Sequence, residues 1–354
     1  MDTLPGGAVR VLNPADGIWS EPEQWRIVED LRIGRAEGIG PDVFGRVSAV
    51  GISPQGSILV IDGQAQEVRV FDGGGDHVRT IGRKGSGPGE FQNAHGLAWD
   101  DRGRLWVADA GNNRYSVFDS LGNHLFERQT ANRGVVFPWL GGFGRDGFLY
   151  EVGARSGPTG ESVFTYFRMD SAGAIADSLP KLENRPASAL PMALFGLAPR
   201  LTFRFDPAGH VWFGFTSDYR IYQRSFAGDT LRIIERAVAR VPVTEQEKDS
   251  IVRELAAGPP GFGRADIPAT MPAFDRIFVD SEGHLLIHAI GRADDRGRVF
   301  DVFDAEGRYL GPATNDVTWT IFPVLPVFAR DHVLGVTTDS LGIHYVVRAR
   351  IQRE

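Results

Sequence analysis

Period-two alternation between Gly/Asp turns, a self-similar unit of roughly forty residues and an unfinished last copy together predict an all-β fold. The expected architecture is a six-bladed β-propeller of four-stranded antiparallel blades, with one inserted helix. The N-terminal strand should supply the strand that the C-terminal blade lacks, because this closure leaves no sheet edge unpaired. Composition agrees: 354 residues, 42% hydrophobic, with 44 glycines and 21 prolines, suit many short strands and tight turns in a single domain spanning 1–354.

Each element has its own warrant. Residues 24–33 (QWRIVEDLRI) read as the outer strand of the last blade, and 43–81 as blade one, with turns at Gln55-Gly56 and Asp72-Gly73-Gly74-Gly75. Blade two, 92–130, is the clearest copy: His95 to Asp100 alternates toward Asp101-Arg102-Gly103, Arg104 to Ala108 follows, and Arg114 to Phe118 runs into Asp119-Ser120-Leu121-Gly122. Blade three (139–180) turns at Arg145-Asp146-Gly147 and blade four (200–236) at Pro207-Ala208-Gly209. The insertion 237–272 carries a helix over Gln246 to Ala257, signalled by the capping pair Thr244 and Glu247 and stopped by Gly258-Pro259-Pro260-Gly261. Blade five occupies 273–312. Blade six, 324–352, offers Val324 to Ala329, Val333 to Val336 and His344 to Ile351, and is one strand short.

The aromatic residues follow the repeat. Trp99, Phe143, Phe205 and Phe278 or Val279 fall on inner strands, and Trp106, Tyr150 and Trp212 share a second-strand column, the placement of core residues between blades. Two long crossings, Pro180 to Pro199 and Arg236 to Pro272, both join an outer strand to the next inner strand. They therefore decorate one face.

Composition narrows function. A net charge of −7 lacks the basic footprint of a nucleic-acid binder. Lysine occurs only at Lys84, Lys181 and Lys248, so arginine carries the positive charge. The absence of cysteine removes disulfides, thiolate metal sites and a thiol nucleophile. No apolar run is long enough for a membrane span, and the N-terminus lacks a signal-peptide pattern.

Candidate chemistry is sparse. Gly85-Ser86-Gly87-Pro88-Gly89 is followed by Phe91 and a strand instead of a helix, so it is not a phosphate loop. His77, His124, His210 and His284 adjoin tight turns on the face opposite the insertions, as solvated turn residues would. His95 heads an inner strand on the decorated face, and His288 ends a second strand on the same side. Arg204 and Arg276 interrupt inner strands. A buried guanidinium needs a carboxylate or an anionic ligand, and the sequence neighbours Asp206 and Asp275 alternate away. Loop carboxylates of another blade are one expected partner. An anion-binding mouth formed by Arg46, Arg200, Arg204 and Arg276, with His95, Trp139 and His288 alongside, is the other. Glu151, on a second strand, is either a paired structural charge or a channel-facing acid. Asp294-Asp295 reads as a solvated pair with a calcium alternative. Asn112-Asn113-Arg114 reads as a loop-to-strand signature that fixes blade packing. No G-x-S-x-G, H-E-x-x-H or Asp-rich calcium loop occurs.

Residues Gly85-Ser86-Gly87-Pro88-Gly89-Glu90-Phe91, His95-Gly96-Leu97-Ala98, Asp100, Leu105-Trp106-Val107-Ala108-Asp109 and Asn112-Asn113-Arg114 resemble the repeat of the NHL-repeat family of six-bladed β-propellers. The likeness is strongest in blade two, fair over 43–91, and reduced to turn spacing elsewhere. The chain as a whole looks like the TolB-like, NHL-like "6-bladed β-propeller" proteins that bacteria export. That resemblance implies a periplasmic or secreted protein with its leader removed, lipid-anchored or free, with a cytoplasmic location as the alternative. Related amidating lyases use zinc in the central channel, and gluconolactonases and paraoxonases use calcium there. His95 matches a zinc-binding position of the lyase, but the equivalents in other blades are Ser48, Trp139, Leu201, Asp275 and Val324. No bound metal or other cofactor is therefore expected, with calcium or zinc in the channel as the alternative.

The leading expectation is a monomer binding a small anionic molecule or a peptide at the channel mouth. The main rival is a hydrolase or lyase using His95, with Asp275 and Glu151 as further catalytic candidates and the arginines stabilising an oxyanion. A protein-interaction scaffold is the third reading.

Overall fold

The computed structural model describes residues 1–130, 138–156, 162–179, 182, 196–256, 263–290, 300–320 and 324–353. Blade one comprises Val47–Ile52, Ile58–Asp62, Glu67–Phe71 and His77–Ile81. Blade two comprises Ala94–Trp99, Leu105–Asp109, Arg114–Phe118 and His124–Gln129. Blades three and four follow the same meander, from Gly142–Phe143 to Ile175–Leu179 and from Leu201–Phe205 to Thr230–Arg236. Blade five runs from Arg276–Val279 to Tyr309–Asn315. Blade six is built from Val327–Phe328, His332–Thr338 and His344–Gln352. Its fourth strand is Arg26–Ile33, antiparallel to His344–Gln352 with Ile27 opposite Ile351. The two ends of the chain thus share one sheet and close the ring.

One device recurs in the turns between strands, twice in blades two and five and once in each of the others. Asp100 Oδ1 accepts the N–H groups of Arg102 and Arg104 at 3.0 and 2.9 Å, while Oδ2 accepts Trp106 Nε1 at 2.9 Å. Asp206 repeats the pattern with Ala208, His210 and Trp212. At the next turn of blade two, Asp119 Oδ1 accepts Leu121 and Asn123, and Gly122 sits at φ +89°, which a side chain resists. The recurring Asp-x-x-Gly spacing is therefore a hydrogen-bond requirement. Two of the turn histidines belong to it as well. His210 and His284 are half-buried and contact Asp206 and Asp280 at 3.1 and 2.9 Å, so they are not simply solvated.

Six hydrophobic clusters fill the wedges between neighbouring blades. Leu59, Val68, Phe91, Leu105 and Phe118 join blades one and two, and Trp106, Tyr115, Val117 and Leu149 join two and three. Others join three to four, four to five, five to six and six to one. Trp106, Tyr150 and Trp212 are at most 2% exposed, as core residues should be. The loop 85–91 is clamped into the first wedge. Phe91 is fully buried against Phe118, Asn112 donates to Gly85 and Glu90 carbonyls, and Arg114 donates to those of Gly87 and Glu90.

Two features depart from the expected pattern. The inner strands of blades three and six shorten to two residues each, so Trp139 and Val324 lie before their strands. Residues 1–13 form two strands, Asp2–Thr3 and Val9–Asn13. The second lies parallel to the outer strand of blade four. From there the chain crosses blade five, where Trp19 donates to the Leu310 carbonyl at 2.7 Å, and so reaches blade six. The helix spans Glu245–Ala256, capped by Thr244 and Glu247, and packs Ile251 and Val252 against Leu197, Val243 and Ile267.

Candidate functional site

Inner strands of all six blades surround one channel of about 370 Å³. It is lined from Ser48 and His95, through Trp139, Arg204 and Phe278, to Val324 and Val327. Ser48 and His95 sit at β-bulges, between Val47 and Ala49 and between Ala94 and Gly96. A bulge re-aims the side chain of the extra residue, which accounts for both lining the channel.

Blades four and five bring the charged groups together. Arg200 pairs with Asp275 Oδ1, and His288 Nδ1 lies 3.0 Å from Asp275 Oδ2. Arg276 reaches the same carboxylate only through Nε at 3.8 Å. The expectation that Asp275 turns away from the arginines is therefore corrected. Asp275 precedes the regular strand, which starts at Arg276, so alternation does not govern its direction.

Arg204 is different. Its Nη1 donates to the Phe203 carbonyl at 2.7 Å, and its guanidinium carbon lies 5.2 Å from the Phe278 ring. Nη2 is buried with no hydrogen-bond partner among the described residues, and no described carboxylate pairs with this side chain. Burial, reinforced by the charge of Arg276, lowers the Arg204 pKa to about 9. The same causes lower Arg200 to about 10, despite its pairing with Asp275, and burial lowers Arg276. Of these three arginines only Arg204 is among the residues that line the channel; Arg200, Arg276, Asp275 and His288 lie outside that lining. The Arg204 charge is the one for which no described carboxylate compensates.

The other candidates are placed as follows. Trp139 lines the channel and packs over Gly96, where an added Cβ would meet its ring at 2.3 Å. Arg46 is exposed at the rim, donating to the Gly63 carbonyl, and is outside the channel lining; the exposed backbone just before Val47 leads it away from the axis. The His95 ring contacts the Asn93 carbonyl at 3.1 Å and also the Ala108 carbonyl, and burial lowers its pKa, so the imidazole is neutral at pH 7. Both of these contacts are to backbone oxygens, and the Asp109 charge acts on the ring from further away. Glu151 is 6% exposed in the wedge between blades two and three. Burial and its charge raise the Tyr115 phenol well above the usual range. Asp294 and Asp295 lie outside the described residues, as does most of Pro180 to Pro199.

Among the described residues one group has the spacing of a metal site: Asp280, Glu282 and His284, at the end of the channel away from the long insertion. Arg353 and Arg330 already bind Glu282 at 2.8 and 3.2 Å, and Asp280 caps its own turn. These cations oppose a metal there. At the opposite mouth, three of the six equivalent positions are Trp139, Leu201 and Val324, which offer no ligand atom.

Comparison with known proteins fits this geometry. A family profile described as 6-bladed beta-propeller matches residues 43–133. NHL repeat-containing protein 3 of Homo sapiens is 30% identical over 97 residues, 24% of this chain and 25% of that protein. Protein lin-41 of Caenorhabditis elegans is 46% identical over 48 residues, 14% of this chain and 4% of its own length. The chain thus spans a quarter or less of these curated relatives. An exported-protein candidate of Bacteroides fragilis, solved by crystallography, superposes with a TM-score of 0.57 at 11% identity, covering 97% of this chain and 100% of that one. At that identity the likeness concerns the fold alone. The chain folds as a six-bladed β-propeller, and part of it is similar to NHL repeat-containing proteins. The described residues contain no helix long and apolar enough to cross a membrane.

Proposed function

We propose that this propeller binds a small anionic molecule, or the carboxylate end of a peptide, inside its central channel and against Arg204. The observation that carries the reading is the buried Arg204 Nη2 without a partner among the described residues. A guanidinium held in this state is stabilised by any anion that restores its hydrogen bonds, and the loss of those bonds in the free protein favours binding. Apolar walls from Phe278, Leu97 and Val324 would exclude water from the contact and strengthen it. One chain encloses the whole channel, so the reading needs no second copy. We place the protein outside the cytoplasm, in keeping with its resemblance to exported bacterial propellers.

The test is a thermal-shift screen of small carboxylates, phosphate esters and C-terminal dipeptides against the wild-type chain and Arg204→Met. Binding should raise the melting temperature of the wild type and leave the variant unmoved. A ligand that stabilises both equally binds elsewhere, and its discovery would defeat the proposal.

A further inference from the structure

We infer that the channel ligand carries two negative charges at one end of an apolar body, an inference that rests on the anion-binding reading above. Among the described residues, blades four and five place two guanidiniums, Arg200 and Arg276, against one carboxylate, Asp275, and a third, Arg204, within reach of the Arg276 charge. Arg200 is seated on that carboxylate, and His288 occupies its other oxygen. Among the described residues Arg204 has no carboxylate, and Arg276 has only its 3.8 Å contact. A monoanion would match one of these two guanidiniums and leave the second uncompensated in a buried site. A dianion, either a phosphate monoester or a dicarboxylate, matches both, and its paired oxygens suit the guanidinium fork.

The rest of the channel sets the orientation. Phe278 lies beneath Arg204 and packs on Phe328 at 5.1 Å, so an apolar body has ring faces to lie against. At the far end Asp206 and Asp280 line the wall. Asp206 is engaged by Trp212 and His210, and Asp280 by its own turn and His284. These carboxylates would repel a charged group entering tail-first. The arrangement therefore directs the dianionic head to the arginines and the apolar body toward the phenylalanines. In this scheme Arg200 is a positioning residue that holds Asp275.

Two matched pairs of probes test the charge count by calorimetry at pH 7.5 and low salt. Phenyl phosphate is largely dianionic there, because its second ionisation lies near pH 6, whereas isosteric phenyl sulfate is a monoanion. Benzene-1,3-dicarboxylate and benzoate form the second pair and separate a dicarboxylate site from a phosphate site. The dianion should bind at least about tenfold more tightly in one pair. Arg204→Gln and Arg276→Gln should each bring that ratio close to one, whereas Arg46→Gln should preserve it. If Arg276→Gln does not fold, Arg276→Lys should retain the charge and give an intermediate ratio. Equal binding within both pairs would overturn the dianion inference and leave anion binding standing. Failure of all four probes to bind would overturn both.

Discussion

Replacing Arg204 with methionine should make the unliganded protein more stable, the reverse of the usual outcome for a buried residue. Burial and Arg276 bring the Arg204 pKa down to about 9. Relative to an ordinary arginine this corresponds to roughly 4–5 kcal/mol of uncompensated desolvation in the folded state. Methionine forfeits the hydrogen bond to the Phe203 carbonyl and the contact with the Phe278 ring, together about 1–2 kcal/mol. The net gain is about 3 kcal/mol. For 354 residues, an unfolding entropy near 2.1 cal/mol/K per residue gives about 1.3 °C per kcal/mol, hence a rise of about 4 °C. The pH dependence has a fixed sign. Below pH 9 both folded and unfolded wild-type chains hold the proton, so the difference between variant and wild type is complete at pH 7. As pH rises past 9, the folded wild type releases the proton while the unfolded chain retains it, and the gap narrows by about 2 kcal/mol by pH 10.5. Differential scanning calorimetry of both proteins at pH 7, 9 and 10.5 measures this. A variant less stable than wild type at pH 7, or a gap that ignores pH, would refute the reasoning. The former would mean that Arg204 already has a carboxylate partner, whose orphaning costs about 3–5 kcal/mol.

Other outcomes follow from the same structure. Asp109→Ala removes acceptors for Gln92, Asn93 and Gly111 N–H and for Asn112, and should cost about 2–4 kcal/mol, with faster amide exchange confined to 85–93 and 110–113. Ile27→Ala, at a fully buried position of the closing strand, should cost about 2–5 kcal/mol in urea melts; a cost below 1 kcal/mol would argue against closure by this strand. His95, with its pKa lowered by burial, should subtract stability as pH falls below about 6.5, and His95→Gln should flatten that limb. His210, raised first by its hydrogen bond to Asp206, should behave oppositely, contributing below about 6.5 and losing that contribution as pH climbs through its folded value; NMR titration separates the two.

The ring was legible because its grammar is local. Asp100, Gly103 and Trp106 form one hydrogen-bonded turn, and the same residue types recur at the same spacing in Asp206, Gly209 and Trp212. The closing strand could be read because Arg26–Ile33 alternates and the last blade is short. Residues 1–13 gave no such signal. Val9–Asn13 is a parallel addition outside a blade already complete, held by Asn13 to Gly307 and Tyr309 and by Arg10 to Glu235, partners more than 220 residues away. At the site, position along the inner strands pointed to Arg204, His95 and Trp139. The hub at Asp275 was hidden because alternation was assumed one residue before the strand begins. Trp139 keeps its place in the channel through Gly96, whose missing side chain makes room for the ring, a pairing that no spacing rule connects.

The most direct test of an arginine-centred anion site is a crystal structure of the protein soaked in selenate, whose anomalous scattering marks the oxyanion. A selenate is expected in the channel within hydrogen-bond reach of Arg204 Nη2 and Arg276, and should be lost in Arg204→Met. Selenate bound only to exposed arginines such as Arg46, with no anion between Arg204 and Arg276, would contradict it.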